Sequence, residues 1–174
     1  MDNLDQLRTL IRHVPDFPKP GILFYDITTL LRDPVGLRSA LDFLAAPYRE
    51  AGIDAVVGIE SRGFLFGIGV AERLGVGFVP VRKPGKLPAR TARVAYDLEY
   101  GSDAVEMHQD ALETGHRVLI VDDLLATGGT AQATAELVAG RGAVVHGLAF
   151  LIELGALDGR ARLAGHEVFA ALRY

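Results

Sequence analysis

Two adjacent carboxylates, Asp122 and Asp123, follow the apolar run Val118 to Val121 and precede a loop of small and hydroxylated residues, Ala126 to Thr130. The apolar run has the branched composition of a buried strand, which would deliver both acids to its carboxyl end. Residues 131–138 then read as a helix. That order of parts builds an anion site. Gly128 and Gly129 let backbone N–H groups close round a phosphate, Thr127 and Thr130 add hydroxyl donors, and the helix start adds its positive dipole end. The acids beside it suit sugar hydroxyls or a hydrated Mg²⁺. A strand, a Gly-rich turn and a helix also form the ordinary connection of an α/β domain. The paired acids set this one apart, because adjacent carboxylates repel and need a cation or donors. The segment lacks the Gly-Lys-Ser/Thr ending of a nucleotide-triphosphate loop, and no Gly-x-Gly-x-x-Gly run follows a strand. A sugar phosphate fits better than a nucleoside triphosphate.

A second group of charges is cationic. Arg82, Lys83 and Lys86 fall within five positions, with Arg90 and Arg93 close behind. Gly and Pro residues and the lack of apolar periodicity make 82–92 a long mobile loop, of the kind that serves as a lid. Cations arriving with a closing loop would stabilise a departing polyanion. Ser61, Arg62 and Gly63 sit between a predicted strand and helix, where freed N–H groups meet an anion. The five histidines show no metal-ligand spacing.

These residues need a scaffold. Leu4, Leu7, Ile11 and Val14 recur at helical spacing, so the chain is expected to open on an amphipathic helix closed by Pro15 and Pro18. A short extended piece follows at 22–24. Asp33 before Pro34 is a helix cap, and Leu37, Leu41, Leu44 and Tyr48 form the apolar stripe of the helix that follows. Strands are expected at 55–59, 77–81, 143–151 and 168–172, with helices at 64–74 and 157–163. Residues 93–98 and 104–107 read as a hairpin around 101–103. Alternating strands and helices imply an α/β fold: one domain, with a mainly parallel twisted sheet flanked by helices.

The bulk numbers agree. At 174 residues the chain suits a single domain with a sizeable core, and 49% apolar with 23% charged residues is the balance of a soluble globular protein. A net charge of −4 argues against a nucleic-acid partner. Cysteine is absent, which excludes disulfides and thiolate metal sites. The first residues lack the layout of a signal peptide, and no apolar run reaches the ~20 residues that span a bilayer. A cytoplasmic location is expected.

Val118–Thr130 resembles the donor-binding motif of the type I phosphoribosyltransferases. Asp16–Thr28, Glu60–Gly67, Arg82–Pro88 and Leu98–Gly101 resemble, in matching order, segments of that family's adenine-specific members. The resemblance runs from about Asp16 to the end of the chain. It implies the type I fold over 1–174, with a small N-terminal hood for the base over about 1–33 and a lid and hairpin over about 82–101.

The resemblance also implies a reaction: transfer of 5-phosphoribosyl from 5-phospho-α-D-ribose 1-diphosphate to adenine, giving AMP and diphosphate, as in purine salvage. It assigns the sugar's phosphate to Ala126, Thr127, Gly128, Gly129 and Thr130, and the diphosphate to Arg62, Arg82, Lys83 and Lys86. Asp122 and Asp123 would hold the ribose hydroxyls, directly or through water and Mg²⁺. Glu99 would take part in proton transfer with the purine. Phe24 would stack on adenine, with Leu23 and Tyr25 flanking it and Leu154 on the other face; Tyr25 stands where the family often has arginine. Mg²⁺ as cofactor and a homodimer follow from the resemblance alone. Two alternatives stay open at this point: another purine as acceptor, or a regulator that binds the donor without turning it over.

Overall fold

A computed structural model describes residues 3–97 and 101–174. Its centre is a five-stranded, all-parallel sheet. The strands, in spatial order, are β4 (Gly77–Val81), β3 (Ala55–Ile59), β7 (Arg117–Leu125), β8 (Val144–Glu153) and β9 (Val168–Arg173). β3 is buried at every position, as a short continuous apolar run demands of a central strand.

Side-chain alternation divides the core in two. On one face Leu119 and Val121 pack with Leu41, Leu44, Phe66 and Val70, from α3 (Pro34–Ala45) and α4 (Gly63–Leu74). On the other, Val118 and Ile120 meet Leu137 and Val138 of α5 (Gly129–Ala139) and Val105 and Met107 of β6 (Ser102–His108). β6 pairs antiparallel with β5 (Thr91–Asp97), and this hairpin stands apart from the main sheet. No helix among the described residues is long and apolar enough to cross a membrane.

Local chemistry sets several boundaries where the sequence predicts them. Asp33 Oδ1 accepts from Val35 N and Gly36 N at 3.1 and 2.7 Å, with Pro34 in the first turn, so α3 begins there. The strands at 55–59 and 77–81 appear with the expected bounds.

Elsewhere tertiary pairing overrides the local pattern. The opening helix, α1, covers only Asn3–Thr9, and Arg12–Pro15 is β1. Val14 faces Phe24 of β2 (Leu23–Asp26) across an antiparallel hairpin, a pairing that helical spacing cannot reveal. The short α2 (Thr28–Leu31) leads from that hairpin to α3. Thr91 and Ala92, expected in the loop, belong to β5, and Ser102 and Asp103, expected in the turn, belong to β6. The single helix expected at 157–163 is a 3₁₀ turn, Gly155–Leu157, and then α6 (Gly159–Arg162), broken at Asp158 with φ +48°.

Candidate active site

β7 runs four residues beyond the predicted strand. Its pairing with β3 stops at Gly58↔Val121, while β8 continues alongside through Asp122↔Phe150 to Leu125↔Glu153. Asp122 and Asp123 therefore lie within a strand that is open on one edge. The turn between β3 and α4 closes against that edge. A Cβ on Gly63 would stand 2.6 Å from Asp122 Oδ1 and 3.0 Å from the Val121 carbonyl, so only glycine permits this approach. It carries Arg62 to Asp123, with Nε 2.9 Å from Oδ2.

That buried Oδ2 is paired by charge but accepts no aligned hydrogen bond among the described residues. Asp122 Oδ1 accepts the Asp123 N–H at 2.9 Å. Burial, then the neighbouring Asp123 charge, pushes the Asp122 carboxyl well above the usual range. Burial also raises Asp123, with Arg62 opposing. A buried acid beside a half-buried one, held this way, calls for a cation or for sugar hydroxyl donors.

The loop that follows joins β7 to α5. Asp122 and residues 126–130 line a cavity of about 90 Å³. Gly128, at φ +82°, precedes α5, and no side chain caps that helix start, which leaves first-turn N–H groups for a ligand. The loop is also braced from behind. A Cβ on Gly159 would lie 2.2 Å from the Ala126 carbonyl, and one on Gly128 would lie 2.5 Å from the Gly159 carbonyl. The next residue, Arg160, is bolted to the buried Glu153, with Nε 2.9 Å from both carboxylate oxygens. Arg160 first, against the effect of burial, holds the Glu153 carboxyl below its ordinary range. Gly159 gave no signal in the sequence, because its partner lies on a segment distant along the chain.

All four cations assigned to the diphosphate already hold carboxylates. Besides the Arg62–Asp123 pair, Lys86 Nζ lies 2.5 Å from Glu60 Oε1 and Arg82 Nε 3.2 Å from Glu60 Oε2. The Lys83 N–H donates to the same Oε2 at 3.0 Å. Burial alone would raise the Glu60 carboxyl, but Lys86, Lys83 N–H and Arg82 together hold it at about 2. The Lys83 ammonium is bound to Asp103 and donates to Tyr96 Oη at 2.8 Å. The loop thus lies against the turn between β3 and α4, with Arg82 paired through both backbone groups to Glu106 at 2.9 and 2.8 Å. Glu60 escaped the sequence reading although it opens the Glu60–Gly67 motif.

A third region is apolar. The hood hairpin forms a cavity of about 400 Å³ lined by Val14, Phe17, Phe24, Asp26, Ile27 and Arg62, among others. Phe17 meets Phe24 edge-on at 5.1 Å, and the Arg62 guanidinium lies 5.6 Å from the Phe24 ring centre. Arg62 therefore touches both the acids and the aromatic cavity.

Of the four residues assigned to the base, Phe24 lines this cavity. Tyr25 alternates to the other side, its ring 4.3 Å from Tyr174 and 5.1 Å from His13. Leu23 is exposed on the hairpin, and Leu154 packs, half-buried, against the main core. Val14 lines the cavity because Arg12–Pro15 is strand where the spacing predicts helix, and Phe17, which falls within the Asp16–Thr28 motif, has no role assigned from the sequence. Glu99 lies outside the described residues. Among the described residues no group of three His, Cys, Asp or Glu side chains gathers to hold a metal ion.

The model of the phosphoribosyl transferase domain family matches residues 30–165. The chain is 61% identical over 171 residues to the adenine phosphoribosyltransferase of Solibacter usitatus, covering 98% of this chain and 99% of that one. It superposes with a TM-score of 0.95 and 50% identity on the crystal structure of adenine phosphoribosyltransferase from Thermoanaerobacter pseudethanolicus, covering 98% and 99% of the two chains. The Saccharomyces cerevisiae enzyme, crystallised with an imino-altritol bisphosphate and adenine, matches at TM-score 0.92 and 42% identity over 97% of this chain and 98% of that one.

Proposed function

The chain belongs to the phosphoribosyltransferase family, among its adenine phosphoribosyltransferases, and we propose that it makes AMP and diphosphate from adenine and 5-phospho-α-D-ribose 1-diphosphate with the division of labour set out below. The observation that carries this reading is the double placement of Arg62, 2.9 Å from Asp123 and 5.6 Å from the Phe24 ring, which sets an aromatic cavity directly against paired acids and a phosphate loop.

Adenine enters the hood cavity and stacks on Phe24, with backbone groups near Leu23 and Tyr25 reading its edge; the far side falls to Leu154 by the family's pattern alone, since its side chain packs half-buried against the main core. The 5-phosphate takes the N–H groups and hydroxyls of residues 126–130. Asp122 and Asp123 hold the ribose hydroxyls. With both ends of the donor fixed, C1 is presented to the purine nitrogen, and the entropic cost of alignment is met on binding. The nitrogen forms its bond to C1 as the C1–oxygen bond breaks, and that bonding pair leaves with the diphosphate. The sugar gains oxocarbenium character on the way. Arg62, Arg82 and Lys86 neutralise the leaving group once they exchange their carboxylates for it, and Lys83 adds its remaining N–H while it keeps Asp103. Glu99 takes the proton displaced from the purine.

The paired acids fit Mg²⁺: their oxygens are the hard donors it prefers, and burial with mutual repulsion is relieved by a cation. Asp122 and Asp123 would hold it, directly or through water, and the ion would supply further neutralisation of the departing diphosphate. A single domain over 1–174, homodimeric assembly and a cytoplasmic location are parts of the same proposal, supported by family membership.

The test is a Mg²⁺-dependent assay with the activated donor against adenine, hypoxanthine, guanine and xanthine, following nucleotide and diphosphate. AMP from adenine alone is expected. Preference for another base would overturn the acceptor assignment, and donor binding without turnover of any base would favour the regulator.

A further inference from the structure

The hydroxyl of Tyr96 stands between the two ends of the donor site. Tyr96 lies on β5, outside both the phosphate loop and the cationic stretch at 82–86. Its oxygen nevertheless accepts from Thr130 Oγ1 at 3.0 Å and from Lys83 Nζ at 2.8 Å, and its own proton goes to Asp103 Oδ2 at 3.2 Å. These three partners use the one donor and two acceptor positions of a phenol. The arrangement is anchored in the backbone, since Tyr96 and Asp103 are directly opposed across the β5–β6 hairpin. The Lys83 ammonium also lies 5.3 Å from the Tyr96 ring centre.

On the proposed function, on which this inference rests, Thr130 serves the 5-phosphate and Lys83 the diphosphate. We propose that Tyr96 is a positioning residue whose single hydroxyl aligns both. Lys83 has three N–H donors. With Asp103 and Tyr96 taking two, the third is left for the diphosphate, in a direction set by the other two. Thr130 has one proton. When a phosphate claims it, the phenol can turn its one proton from Asp103 to Thr130 Oγ1, and Asp103 keeps the Lys83 ammonium, so the threonine hydroxyl stays in place. Opposite charges hold the lid side: Lys83 first, against burial, lowers the Asp103 carboxyl, and the bonds from Lys83 to Asp103 and Tyr96 outweigh burial and raise the ammonium.

The experiment uses Tyr96→Phe, which keeps the ring and removes only the hydroxyl, with thermal melting to verify the fold. Binding of ribose 5-phosphate and of diphosphate is measured separately by calorimetry in Mg²⁺ buffer, together with KM for donor and adenine. Both ligands should weaken by about threefold to tenfold, the scale of one hydrogen bond. Donor KM should rise and adenine KM stay level. Thr130→Val should cost less in the Tyr96→Phe background than in the wild type, because part of its loss is the contact the two residues share. Weakening at one end only, an equal rise in adenine KM, or full additivity would overturn the proposal. A wild-type chain that turns over donor and adenine while Tyr96→Phe behaves identically sinks this inference alone. A wild-type chain that binds neither ligand sinks the proposed function with it.

Discussion

Lys86 Nζ sits 2.5 Å from Glu60 Oε1, so a cation assigned to the substrate's diphosphate is held by a carboxylate of the protein itself. Arg82 shares that carboxylate, at 3.2 Å. On the proposed function, Glu60 thus stands as an internal anion against which the leaving group must compete.

Removing that competitor should tighten product binding. In Glu60→Gln, Lys86 and Arg82 lose a full counter-charge, and a like charge disappears from beside the diphosphate. Product inhibition by diphosphate is expected to strengthen by roughly threefold to tenfold, about the size of one charge-assisted contact at a half-exposed site. Steady-state inhibition constants for the two proteins decide it. Weaker inhibition in the variant would mean that Glu60 instead positions the cations for the ligand.

The same contact predicts an acid limb. The folded-state value of Glu60, about 2, lies below its ordinary 4.5. Its contribution to stability is therefore fully present above about pH 4.5 and is lost as pH falls toward 2. Acid unfolding followed by circular dichroism should show a shallower dependence in Glu60→Gln across that window. Parallel curves would remove Glu60 from the acid response.

Asp122→Asn should separate chemistry from folding. The substitution removes one charge from two adjacent, burial-raised acids, so the fold is expected to persist, while turnover falls at least about tenfold for lack of the carboxylate. Asp123→Asn should lower turnover similarly, and in addition it frees Arg62 from its 2.9 Å pair. Wild-type rates in both would take the acids out of the mechanism.

Gly159→Ala tests the brace behind the phosphate loop. Its Cβ would meet the Ala126 carbonyl at 2.2 Å, so the loop must move. Donor KM is expected to rise roughly tenfold or more, as overpacking against a fixed backbone implies, with adenine KM nearly unchanged. An effect confined to melting temperature would make Gly159 a residue of stability alone.

What could be read without the fold was what neighbouring residues decide among themselves. Asp122 to Thr130 carries its acids, glycines and hydroxyls in one continuous stretch, so the strand-to-helix turn that gathers them could be read directly. Asp33 with Pro34 announced α3 for the same reason, because capping is a contact over two or three positions. The family resemblance then attached roles to Arg62, the lysines and Phe24.

Contacts between distant segments had no such signature. Val14 became a cavity wall only because it pairs with Phe24, against a spacing that also fits a helix. Tyr25 turned away from the cavity because successive strand residues face opposite sides, and Tyr174 was there to receive it. Glu60 met Lys86, and Gly159 met Ala126, across loops whose paths the local sequence leaves undetermined. The physical reason is common to all four. Periodicity and capping act over a few residues, whereas close approach and charge pairing depend on where whole elements are packed, and that is settled only when the sheet and its two faces assemble.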